Sequence, residues 1–72
     1  MTVQVKTLMG EAQDIITAIT AAQRKTLEYM ASKYLTGHQI ISVNQHTSET
    51  EGALGTTYVC FVTVWFDPQR VQ

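Results

Sequence analysis

Residues 57–66 read TYVCFVTVWF, a run in which every position is apolar, aromatic or β-branched. Alternation along a strand puts Tyr58, Cys60, Val62, Val64 and Phe66 on one face and Thr57, Val59, Phe61, Thr63 and Trp65 on the other. Neither set looks like the wet face of an ordinary amphipathic strand, so both faces ask for cover. A chain of 72 residues with one plausible helix can cover only one face of a sheet. The second face is expected to meet another subunit, a ligand or a partner protein, and function is expected there.

Working outward, Asp67-Pro68 closes this strand, because proline cannot donate to a ladder, and leaves a tail at 67–72. On the other side, TSETEGALGT (47–56) is small, polar and glycine-bearing and reads as a loop between antiparallel strands. HQIISVNQH (38–46) supplies the partner strand. Residues 11–35 contain neither Gly nor Pro, begin with Glu11 and Asp14 where a helix dipole favours negative charge, and are followed by Gly37 as a left-handed cap. At the start, TVQVKTL (2–8) alternates Val3 and Val5 against Gln4 and Lys6, a short strand with one wet face. The expected architecture is α+β in the order β-α-β-β. It is one domain over 1–72, with one long amphipathic helix packed on a small antiparallel sheet.

Turning about 100° per residue groups Ala12, Ile15, Ile16, Ile19, Ala22, Leu27, Met30 and Tyr34 on one helical stripe, with Asp14, Thr17, Arg24, Glu28 and Ser32 opposite. Ala18, Ala21, Ala22 and Ala31 keep the helix slim and permit close approach of another helix or of the sheet. Gln23 interrupts the apolar stripe, as a polar residue at an interface or as a ligand contact.

The sequence leaves open which sheet face the helix covers. A hairpin register with His46 opposite Thr57 puts Gln39, Ile41, Val43 and Gln45 under the helix with Tyr58, Cys60, Val62 and Val64. It leaves His38, Ser42, Asn44, His46, Phe61, Thr63 and Trp65 on the outer face, with His38 opposite Trp65. Aromatic rings among hydrogen-bonding groups suit a subunit interface or a planar ligand, since rings give contact area and polar groups fix orientation. Trp65, His38, Phe61, Ser42, Asn44, Thr63 and, on the helix, Gln23 are therefore the candidate binding residues.

A chain this short buries only about 60% of the surface its unfolded form exposes, so a monomer is marginal. Cys60 is the single cysteine and cannot form an intramolecular disulfide. No Cys or His pair has zinc spacing, and His38 and His46 lie roughly 26 Å apart on one strand, too far to share a metal. Self-association is the remaining remedy. A net charge of −1 offers no electrostatic footprint for nucleic acid or an anionic membrane. The N-terminal residues lack the long apolar core of a signal peptide, no segment reaches the roughly 18 apolar residues of a membrane span, and an unpaired thiol suits a reducing compartment, so a cytoplasmic location is expected. No catalytic constellation is present: Cys60 sits mid-strand as apolar filler, Glu49 and Glu51 lie in a wet loop, and EGALGT lacks the Lys-Ser or Lys-Thr of a phosphate-binding loop.

A short VQV strand, an alanine-rich helix, IISVNQH, an acidic glycine-bearing loop and TYVCFVTVWF together resemble the dodecins in layout. Dodecins are small cytosolic βαββ proteins that wrap a sheet around one helix and assemble into hollow dodecamers binding flavins or coenzyme A. Those that stack flavin use a tryptophan entering the second strand; here that region reads GHQIIS, and the tryptophan is Trp65 in the last strand. The resemblance implies a homo-oligomer with ligand sites between subunits. Two readings follow. One is a non-enzymatic homo-oligomeric interaction protein that docks on itself and on a protein target, as a phage or bacterial regulator or inhibitor does, with no cofactor. The alternative is a module sequestering a flavin or nucleotide between subunits.

Overall fold

A computed structural model describes residues 2–70 of the chain. Strand β1 (Gln4–Ala12) is followed by helix α1 (Ile15–Ser32), a 3-10 turn (Gly37–Gln39), strand β2 (Ile40–Gly52) and strand β3 (Gly55–Phe66). The three strands form one antiparallel sheet in the order β1-β3-β2, and the helix packs on one face. The α+β class and the β-α-β-β order are those read from the sequence. The strand expected at 2–8 runs on to Ala12, and the helix expected over 11–35 is shorter at both ends.

The reason lies at Gly10, which is buried at a position where a Cβ would collide with the Ala18 carbonyl oxygen and the Ala22 amide nitrogen. Only a glycine lets the strand lie directly beneath the helix backbone. The helix meets that strand with its smallest side chains, so Ala18 and Ala22 are fully buried and Thr26 nearly so, its hydroxyl donating to the Ala22 carbonyl at 2.8 Å. The expected stripe holds only in part: Ala12, Ile19, Ala22 and Met30 pack on the core, whereas Ile15, Ile16, Leu27 and Tyr34 are exposed. Summed hydrophobicity favours the large residues of a helical wheel, whereas close approach to a glycine strand selects the small ones. Beneath the alanines lie Cys60, Val62, Val64 and Phe66, each at most 3% exposed. Tyr29 adds an edge-on contact to Phe66 with ring centroids 6.0 Å apart.

Asp14 caps the helix, its carboxylate accepting from the Thr17 amide at 2.9 Å and the Thr17 hydroxyl at 3.0 Å. At the other end the left-handed position expected of Gly37 belongs to Tyr34, with φ 54°. The Leu35 amide donates to the Met30 carbonyl and the Tyr34 amide to the Ala31 carbonyl, the paired bonds of a Schellman ending. Gly37 instead opens the 3-10 turn, held by the Gln39 side chain accepting from the Thr36 amide at 2.9 Å.

The segment 47–56, expected as a loop, is strand up to a two-residue turn at Ala53 and Leu54. Its threonines suit a ladder, and Gly55, at φ 117°, supplies the positive φ that closes the reversal. Since β1 pairing ends at Ala12 opposite Tyr58, residues 50–57 project as a two-stranded arm without a third strand. The Cα radius of gyration, 14.2 Å, accordingly exceeds the about 11 Å of a compact chain of this length.

Candidate functional site

The outer face of the sheet is uncovered by any element of the described residues. On it β3 contributes Phe61, Thr63 and Trp65, β2 contributes Ser42, Asn44 and His46, and β1 contributes Val5, Thr7 and Met9. His46 lies opposite Phe61 rather than Thr57, four residues along. An even slip preserves the facing of every side chain, so Ser42, Asn44, Phe61, Thr63 and Trp65 share the face the alternation assigns them.

Three expected placements fail. His38 does not lie opposite Trp65; it sits in the 3-10 turn with its Nδ1 3.0 Å from the Thr36 hydroxyl, and Ser42 takes the place across from Trp65. The Thr36–Gln39 turn consumes the residues that would have extended the strand. Gln39 leaves the helix-covered face with it, accepting from the Asp67 amide through its carbonyl at 2.9 Å and donating to the Pro68 carbonyl at 2.9 Å. A bulge between Ile40 and Ser42 then reverses the facing of both isoleucines: Ile40 packs against the core opposite Phe66, and Ile41, expected beneath the helix, joins the outer face. Gln23 stands apart from the others, on the helix side. Its Nε2 donates to Gln45 Oε1 at 3.4 Å, across a small groove between α1 and β2 lined by Leu27, Val43 and Val62.

At the end of the face farthest from the hairpin turn lies a shallow depression of about 730 Å³, walled by Val3, Ile41, Ser42 and Trp65 with Asp67 and Arg70 behind. Val3, Val5, Met9, Ile41 and Trp65 are each 42–51% exposed, a large apolar share for one surface. The polar groups of the face are partly knit together. Thr7 and Thr63 share a hydroxyl–hydroxyl bond of 3.1 Å, and Asn44 donates to the Ser42 hydroxyl at 3.2 Å. Asp67 is 5% exposed, and its carboxylate accepts from the Gln69 amide at 3.0 Å.

Sequence reasoning missed Val5, Met9 and Ile41. The VQV alternation carried a signal for Val5, but nothing local shows that β1 lies beside β3, and a bulge leaves no local mark. Among the described residues no three His, Cys, Asp or Glu side chains are grouped to hold a metal ion, and every buried polar side-chain atom has a hydrogen-bond partner. Cys60 is a fully buried free thiol. The Thr17 amide, then the Thr17 hydroxyl, hold the Asp14 carboxyl below the usual aspartate range. No helix among the described residues is long and apolar enough to cross a membrane. Compared with protein-family models, curated proteins and solved structures, the chain matches none.

Proposed function

We propose that this chain is a small, non-enzymatic cytoplasmic interaction protein that assembles with copies of itself and engages a protein target through the outer face of its sheet. The observation that carries the reading is that face: half-exposed Val3, Val5, Met9, Ile41 and Trp65 lie side by side with no covering element. Along the three strands, the outer face carries Glu11 and the imidazole of His46 as its acidic and basic side chains, and such depletion of charge is characteristic of interface centres rather than of free surface. Trp65 is the largest side chain available as an anchor.

A second reading has its own support in the depression beside Trp65. Its volume lies within the range of small-molecule sites, and Trp65 with Arg70 offers a ring to stack on and a cation for a phosphate. A flavin or nucleotide held there between subunits would fit the dodecin-like layout. Light scattering on freshly purified protein should return a multiple of 8.1 kDa under both readings. Absorbance above about 300 nm, with mass spectrometry of released material, separates them: an absorbing small molecule supports sequestration, and its absence supports protein contact. A fully stable monomer at micromolar concentration defeats the assembly that both require.

A further inference from the structure

The hairpin turn carries a side chain that its own chain does not use. Leu54 is 94% exposed at the tip of the arm, where turn chemistry ordinarily selects Gly, Asn or Asp. The arm behind it is two strands wide, and an isolated two-stranded ribbon is marginal in water without something to pack on. At the opposite end of the molecule the depression beside Trp65 is apolar and open. Leu54 and Trp65 are eleven residues apart in sequence, roughly 36 Å at about 3.3 Å per residue of strand, so the tip cannot reach the depression of its own chain.

Charge runs the same way. Residues 47–66 contain Glu49 and Glu51 and no Lys or Arg, whereas the depression carries Arg70 and an Asp67 already buried on the Gln69 amide. The arm is thus an acidic knob, and the other end is a hollow with a cation on its rim.

Resting on the reading that the chain assembles with itself, we propose that the hairpin tip of one copy seats in the Trp65 depression of a second. Leu54 enters between Trp65 and Ile41, and the acidic arm as a whole approaches the Arg70 rim. Two molecules 49 Å long, lying antiparallel about a two-fold axis, make this contact twice and close the assembly; each outer face then covers the other.

The test uses light scattering and sedimentation on the full chain. Wild type should form a dimer of 8.1 kDa chains. Leu54→Asp, at a position with no packing to lose, should weaken the dimer about tenfold or more with an unchanged circular dichroism spectrum. Arg70→Glu, which sets a negative charge against the acidic arm, should weaken it in the same direction. A Leu54→Cys, Ile41→Cys double variant should oxidise to a covalent dimer, since the two positions lie at opposite ends of one chain. If wild type assembles but Leu54→Asp assembles equally well and no cross-link forms, the proposal is overturned while self-assembly stands, and the depression falls to a planar ligand or another protein. If wild type is monomeric at micromolar concentration, self-assembly fails and this contact with it.

Discussion

The two faces of β3 are nearly matched in composition and opposite in fate. Cys60, Val62, Val64 and Phe66 are sealed beneath α1, while Phe61, Thr63 and Trp65, one residue out of phase, look onto a surface with no cover. What separates them is the supply of a single helix. Burial of Cys60, Val62, Val64 and Phe66 is complete within the chain, whereas the outer face is left open by the described residues. The contrast predicts that inner-face substitutions unfold the protein and outer-face substitutions dissociate it.

The sharpest break is Val64→Asp. An unpaired carboxylate at a fully buried position should cost more than about 4 kcal/mol and leave no cooperative thermal transition. Gly10→Val comes next, at about 3 kcal/mol, because the new side chain must push the Ala18–Ala22 segment off the strand; chemical denaturation would show a lower midpoint. If Gly10→Val were neutral, the close packing of helix on β1 would be wrong.

Trp65→Ala tests the other face. It should weaken assembly by about 2 kcal/mol, read by sedimentation, while far-ultraviolet circular dichroism remains that of a folded chain. Unfolding of this variant would put Trp65 in the core and erase the distinction between the faces.

A smaller effect of opposite sign is expected from Tyr34→Gly. Tyr34 is 88% exposed and holds a left-handed φ, so glycine should relieve strain without losing packing and raise stability by about 0.5–1 kcal/mol.

The smallest effect concerns the helix start. Because the folded-state carboxyl of Asp14 titrates below its unfolded value, its stabilisation is present above the unfolded value and lost as pH falls through the folded one. Asp14→Ala should therefore lower the melting temperature at neutral pH, and the gap from wild type should narrow below about pH 4. Asp14→Asn, which keeps an acceptor for the Thr17 amide, should recover most of the loss at neutral pH.

Much of this contrast was legible in the chain. The run of apolar, aromatic and β-branched residues at 57–66 marked a strand with no ordinary wet face, and strict two-residue alternation sorted Trp65, Phe61, Thr63, Ser42 and Asn44 together even though the hairpin register differs by four residues. Facing depends on parity, which survives an even slip; pairing partners depend on where the turn closes, which does not. The turn was hidden because TSETEGALGT has a loop's composition, and only pairing across Gly52 and Gly55 makes it strand.

Local chemistry thus decides the element types, their order and the two-sided character of β3, because these follow from periodicity and from the intrinsic preferences of neighbouring residues. The tertiary structure alone decides the phase of the helix, the placement of β1 beside β3, the escape of His38 from the face and the entry of Ile41 into it. Each of these hangs on a contact between segments distant in sequence or on a one-residue bulge. The approach of Gly10 to Ala18 and Ala22 selects small side chains for the interface, and no reading of the helix by itself can know that a glycine waits beneath it.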